Sequence, residues 1–335
     1  MINYQILSYE YRGNVLDLSH MGNIAIVDKQ GNIICSVGEP DTPTCYRSAS
    51  KPIQALPTIA LGNEYNLSPM EQSIFSGSQT GEILHTSVLE SILNKTGLKE
   101  EYLIMKPCYP ADEKHRNSLI VKGMPKRKIY HNCAGKHIAA MLLQRALGGK
   151  VEEYWQENSP VQQAIKKAVC ILSEVDDAVV STDGCGVPVF TVPLKNIAIA
   201  YKNLACINTI KDEILKNAAR YYIPILHQNP IMLRGTGYFC TLMNMDSNII
   251  AKGGANGVYG FGIKDKGVGV AFKLADGTED SWTLIAIEIL KILDSLSPEH
   301  EERLLSLKPY EIYNDNNNVV GKRVPAFKLK GDIKN

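Results

Sequence analysis

Hydrophobic and polar residues alternate from Tyr4 to Arg12 and again from Asn23 to Asp28, the period of a strand with one buried face. Lys29-Gln30-Gly31-Asn32 reads as a turn into a third strand over residues 33–37, so the chain is expected to open on a β-meander. From Ser48 to about Gly184 the spacing becomes helical. Ser68-Pro69-Met70-Glu71 carries a capping-box spacing with proline at the first helical position, and Ser159-Pro160-Val161-Gln162 repeats the device. One helix is expected to close at Gly97 and another, running from Ile138 to Leu147, at Gly148-Gly149; helical spacing returns over residues 210–222. Strand patterns are expected over residues 238–243, 248–252 and 268–274, with Asp276-Gly277 as a turn. A helix from about Ser281 to Leu293 follows, and Ser297-Pro298 opens another. The polar, basic stretch 314–335 is expected to lie loosely on the surface. Strands at both chain ends around a helical middle predict an α/β architecture with one sheet built from both ends. The expected organisation is one unit over residues 1–335 with a helical subdomain at about 50–180.

Composition narrows the partners more than the fold. Among 335 residues, 36 Lys and Arg face 35 Asp and Glu, a formal charge of +1, which argues against a nucleic-acid or anionic-membrane partner. With 44% hydrophobic and 21% charged residues, the chain is of globular type. No apolar run reaches the roughly 18 residues of a membrane helix, and residues 1–10 lack the basic start and apolar core of a signal peptide. Eight cysteines are scattered without a C-x-x-C pair, which reads as reduced thiols in a cytoplasm.

Five glycine-containing segments interrupt the periodic regions: residues 47–52, 76–82, 132–137, 183–188 and 252–257. In the first, Ser48 and Lys51 stand a helical turn apart. A neutral Lys51 amine could accept the Ser48 proton and activate the hydroxyl for acyl transfer. The same spacing also suits a capped helix with a solvent-facing lysine. Lys252-Gly253-Gly254 follows an apolar strand, as the K-[ST]-G strand does in penicillin-recognising enzymes that also carry S-x-x-K. A surface strand end with a bend is the plainer reading. Cys133 and Cys185 sit in polar, glycine-containing loops, with Lys136 after the first and Asp183 before the second. Two thiolates and a nitrogen make a partial Zn²⁺ set with an open position; two buried apolar thiols are the alternative. His131 and His137 flank Cys133 in either reading.

As an ordered set, Arg47-Ser48-x-x-Lys51-Pro52-x-Gln54, Ser78-x-x-Gly81-Glu82-x-x-x-His85, Cys133-x-Gly135-Lys136-His137, Asp183-Gly184-Cys185-Gly186-x-Pro188 and Lys252-Gly253-Gly254-Ala255 resemble the asparaginase family typified by the thermolabile rhizobial enzyme. The resemblance covers residues 5–295. It implies a serine β-lactamase or penicillin-binding-protein-like fold, a homodimer, and hydrolysis of L-asparagine to aspartate and ammonia. It implies two hydroxyl–amine pairs, Ser48 with Lys51 and Thr80 with Lys252, and Zn²⁺ held by Cys133, Lys136 and Cys185. Arg47, Asp183, His137 and Gly254 become the candidate substrate contacts. The chain departs from the family pattern at Gln79 (usually His), Thr80 (Ser), Cys108-Tyr109-Pro110-Ala111 (C-G-x-H), Phe239 (basic) and Asn256 (Glu). These departures bear on substrate choice. The rival readings are an amidohydrolase for another amide, a catalytically silent zinc-containing binding protein, and a redox sensor at Cys133.

Overall fold

The computed structural model describes residues 3–329. Its strands in chain order are β1 (Gln5–Arg12), β2 (Val15–Val27), β3 (Ile33–Val37), β4 (Pro43–Cys45), β5 (Val179–Thr182), β6 (Pro188–Pro193), β7 (Ile249–Gly254), β8 (Val258–Ile263), β9 (Val268–Leu274), β10 (Glu311–Tyr313) and β11 (Val319–Pro325). Its helices are α1 (Lys51–Ile59), α2 (Pro69–Ser73), α3 (Ile83–Thr96), α4 (Glu113–Val121), α5 (Ala134–Ala146), α6 (Pro160–Ser173), α7 (Leu194–Ala205), α8 (Glu213–Gln228), α9 (Phe239–Asn244), α10 (Trp282–Ile292) and α11 (Pro298–Leu307). Among the described residues, no helix is long and apolar enough to cross a membrane.

The chain divides into two units. The first takes the chain up to Ala49, Val192–Thr209 and the chain from Asp246 onward; the second takes Ser50–Thr191 and Ile210–Met245. The first unit holds an antiparallel sheet in the order β10-β11-β1-β2-β9-β8-β7, with β3 also paired to β2. It is built from both chain ends, as the sequence pattern predicts, with helices against it.

Glycines set how that sheet is covered. Gly260 and Gly262 of β8 and Gly269 of β9 share one face, where any Cβ would overlap Tyr201 or Ala198 of α7. Their absence of side chains lets α7 lie close on the strands. The opposite face of β8 carries Tyr259, whose ring lies 5.0 Å from that of Trp282 on α10. The run Val258-Tyr-Gly-Phe-Gly-Ile263 therefore alternates strictly, although its glycines hide it from a propensity reading. The tail also differs from expectation. β11 pairs with β1 through Ser8↔Pro325 to Arg12↔Gly321, so residues 319–325 are a sheet strand and not loose surface chain. Residues 330–335 of that tail lie outside the described residues.

In the second unit α1 packs against α5, α6 and α8 around Ile53, Leu56, Ile138, Val169, Leu172 and Leu226. This helical unit extends past the expected 50–180 and takes in residues 210–245 as well. The capping box at Ser68 is complete, with Glu71 N donating to Ser68 Oγ and Ser68 N donating to Glu71 Oε2. Ser159 caps α6 by accepting from Gln162 N, but the reciprocal bond is missing because Ser159 N donates to Gln156 O instead. The stretch expected as strand over residues 238–243 is instead helix α9, Phe239–Asn244. All of its residues are buried, which erases the helical period, and Asn244 Nδ2 donates one turn back to Cys240 O.

Candidate active site

In the first unit Ser48 stands in a short 3-10 turn, Arg47–Ser50, that leads into α1. Arg47 has φ of 47°, left-handed for a non-glycine residue, and Ser48 beside it is half-buried. Strain of this kind persists only where surrounding contacts enforce it. Here β7 supplies contacts. A Cβ on Gly254 would stand 2.6 Å from Tyr46 O and 3.0 Å from Ala49 N, so glycine lets the strand end close on the Ser48 turn. Lys252, directly opposite Gly260, is buried on the α7 face of the sheet, and its Nζ donates to Gly253 O at 2.8 Å.

Tyr201 joins the two segments. Its hydroxyl lies 2.6 Å from Ala49 O and 3.3 Å from Lys252 O, where it donates. Tyr201→Phe keeps the ring over Gly260 and strips a donor from two buried carbonyls. The variant is expected to lose about 1–3 kcal/mol of stability, which a lowered urea midpoint would register. An unchanged midpoint would deny the hydroxyl that tying role.

In the second unit Lys51 is fully buried, the opposite of a solvent-facing lysine. Its Nζ donates to Gly77 O at 2.6 Å and Ser78 Oγ at 3.0 Å, with Asn132 O at 3.4 Å. Burial is the largest influence on this amine and lowers its pKa from the ordinary lysine value. Lys136 pushes the same way, and the Cys133 and Cys185 thiols oppose it.

Cys133, Lys136 and Cys185 lie together. Lys136 Nζ lies 3.3 Å from Cys185 Sγ, and the two thiols are hydrogen-bonded to each other. That shared bond holds Cys133 well below the ordinary thiol range and pushes Cys185 up. Burial opposes charge on Lys136, but Cys185, Cys133 and Asp183 outweigh it and raise its pKa. Among the described residues no three His, Cys, Asp or Glu gather as a metal-ligand set.

Local structure explains the motif spacings. Cys133 is the cap of α5, and Gly135 in its first turn lies against the Ile74 carbonyl, where any Cβ would overlap. Cys185 occupies the β5–β6 hairpin, closed by Asp183 N to Val187 O at 2.9 Å and Gly186 N to Asp183 O at 2.8 Å, with Gly186 at φ of 91°. Asp183 accepts from Gly184 N at 2.8 Å, and its other oxygen is 3.9 Å from Cys185 Sγ.

The remaining candidates fall in different surroundings. Thr80 is buried; its hydroxyl is 3.4 Å from Glu82 Oε1, which also accepts from Thr236 N at 2.7 Å. Gly235 covers both, since its Cβ would stand 2.6 Å from each of those oxygens. Gln79 donates to Ile129 O and His131 O, a role for its amide NH₂ that fixes the amide's orientation. His137 is fully buried in the helical core, with Nδ1 2.6 Å from the Tyr154 hydroxyl; burial, then Lys136, pushes its pKa well down, which keeps the ring neutral. His85 is likewise buried, bonded to Ile231 O. Ser78 beside Lys51 and Tyr201 beside Ala49 had no role in the sequence reading. Ser78 was at least inside a singled-out segment, whereas Tyr201 reads as one more apolar position of a helix.

No curated protein sequence matches the chain. Among solved structures, it is similar to a β-lactamase from Mycobacterium bovis, at 13% identity over 81% of this chain and 94% of that one, with a TM-score of 0.42. A Bacillus glutaminase gives 12% identity over 82% and 91%, with a TM-score of 0.40. The protein Mglu gives 14% identity over 83% of this chain but only 62% of its own, with a TM-score of 0.49. The family model described as L-asparaginase II matches residues 9–325, nearly the whole sequence. By that match the chain belongs to the L-asparaginase II family and is an amidohydrolase.

Proposed function

We propose that this amidohydrolase cleaves the side-chain amide of L-asparagine, giving aspartate and ammonia through a β-aspartyl ester on Ser48. The observation that carries the reading is the buried Lys51 amine, three residues after Ser48, with its pKa lowered chiefly by burial. A lysine in that state can be neutral near physiological pH and serve as a general base. Ser48 gives its proton to Lys51 and attacks the amide carbon; backbone N–H groups of the Ser48 turn receive the oxyanion. Protonated Lys51 returns the proton to the departing ammonia, and water then cleaves the ester by the reverse transfers. Thr80 and Lys252 form the second hydroxyl–amine pair of the same reading, with Thr80 in support. Its β-branch restricts χ1 and crowds attack at an acyl carbon.

The residues present suit zinc. Two thiols hydrogen-bonded to each other, with an amine 3.3 Å from one, are a donor set for a soft divalent ion. Cys133, Lys136 and Cys185 would hold it, and Lys136 would have to give up its proton. Bound there, Zn²⁺ supplies a fixed positive charge to orient substrate. Arg47, Asp183 and Gly254 remain the proposed substrate contacts, His137 is withdrawn from that set by its full burial, and a cytoplasmic homodimer is the proposed working form. His137 would act from the helical core, through its neighbours.

Ammonia release from L-asparagine and from L-glutamine, with zinc determined on the same sample, tests the proposal. Release from asparagine in preference to glutamine, with about one zinc per chain, is the expected result. Folded, zinc-loaded protein that releases ammonia from neither would favour another amide or a silent binding protein.

A further inference from the structure

The hydroxyl held by Lys51 in the second unit is that of Ser78, a residue without a part in either implied hydroxyl–amine pair. Ser78 is 2% exposed, and its Oγ lies 3.0 Å from Lys51 Nζ. The segment is pinned on both sides. Ser78 N donates to Leu233 O at 2.9 Å, Thr80 N donates to Arg234 O at 2.9 Å, and Arg234 Nη1 reaches Ser78 O at 3.4 Å. A buried hydroxyl fixed this firmly beside a buried amine is built for that contact.

Lys51 Nζ meets two carbonyls, the Ser78 hydroxyl and the Cys133 thiol. Gly77 O and Asn132 O are carbonyls and can only accept. The Ser78 hydroxyl is the one of these side chains that stands outside the proposed zinc donors, so its contact with the amine does not depend on the metal. Resting on the asparaginase reading above, we infer that Ser78 is a positioning residue for catalysis, the buried hydroxyl that fixes the place of the Lys51 amine. Ser78 forms no covalent bond to substrate and is regenerated unchanged. The proton that Ser48 loses goes to Lys51 and leaves with ammonia, as before.

The test compares Ser78→Ala and Ser78→Thr with wild type in steady-state ammonia release from L-asparagine, with zinc content and urea midpoint measured on each protein. Ser78→Ala removes one atom and is expected to fold and hold zinc. Its kcat is expected to fall at least about 10-fold with KM within about 2-fold, and Ser78→Thr, which keeps the hydroxyl, is expected to recover most of that loss. An unchanged kcat in the alanine variant would overturn the inference. So would a loss confined to KM, a loss that tracks missing zinc, or a threonine variant no better than alanine. Wild-type protein that releases no ammonia from asparagine would overturn the asparaginase reading, and this inference with it. An active wild type matched by Ser78→Ala would overturn this inference alone.

Discussion

Ser48→Ala is expected to lower kcat/KM for asparagine by roughly 10⁴-fold or more, the scale on which nucleophile removal acts in serine hydrolases, while leaving the fold intact. The turn explains the second half. Ser48 is half-buried and carries none of the buried core, so alanine fits the same backbone and stability should move by less than about 0.5 kcal/mol. The first half follows from the division of labour. Without Ser48 no activated nucleophile stands at the acyl carbon, and the remaining binding and oxyanion contacts give only residual catalysis. Thr80→Ala separates the two hydroxyls: with Thr80 in support, the loss should be smaller. Rapid quenching of wild type during turnover should place the β-aspartyl adduct on the peptide containing Ser48. An adduct on the Thr80 peptide, or a Thr80→Ala variant as silent as Ser48→Ala, would reverse the roles.

The sequence shows the two ends of this chain more clearly than its joints. β1, β3 and β9 fall within a residue of the strands expected over 4–12, 33–37 and 268–274. β8 does not, since its glycines answer to the approach of α7, a contact far away in sequence. α9 was misread because a short helix buried on every side has no polar face to mark its period. At the site, residue types with unusual chemistry were legible: Ser48, Lys51, Cys133, Lys136, Cys185 and Lys252 all stood out from spacing. Their supports did not. Tyr201 and Ser78 act through one hydroxyl each, at sequence separations of 152 and 27 residues from Ala49 and Lys51. A single sequence carries no signal for such a pairing. Gly135 and Gly254 fall between these cases, visible as glycines while the backbone they admit was not.

Gly135→Ala is expected to destabilise the protein and cut kcat/KM by roughly 100-fold, although helix propensity alone favours the change. Alanine in a helix is better than glycine by about 1 kcal/mol, and Gly135 lies in the first turn of α5. Against this, the new Cβ would overlap the Ile74 carbonyl oxygen and stand 2.9 Å from its carbon, and both are backbone atoms that cannot rotate away. Overpacking of this kind costs about 1–3 kcal/mol, so the clash outweighs the propensity gain. The damage would reach both neighbours of the contact. Ile74 O accepts from Gly77 N at 2.9 Å, and the Gly77 carbonyl is the shortest bond on Lys51. On the other side, Cys133 and Lys136 ride on the same helix start. A displacement of about 1 Å at a reacting group can cost 10²-fold, which sets the expected loss of rate. Gly97→Ala is the control. It sits at φ of 67° with nothing within 4 Å of a new Cβ, so it should cost about 1–2 kcal/mol from backbone strain and leave turnover unchanged. Lower activity and zinc content in Gly135→Ala, with neither in Gly97→Ala, would tie the helix start to the site. A Gly135→Ala protein more stable than wild type and equally active would mean that α5 can draw back from Ile74 without disturbing Lys51, and the close approach would lose its functional meaning.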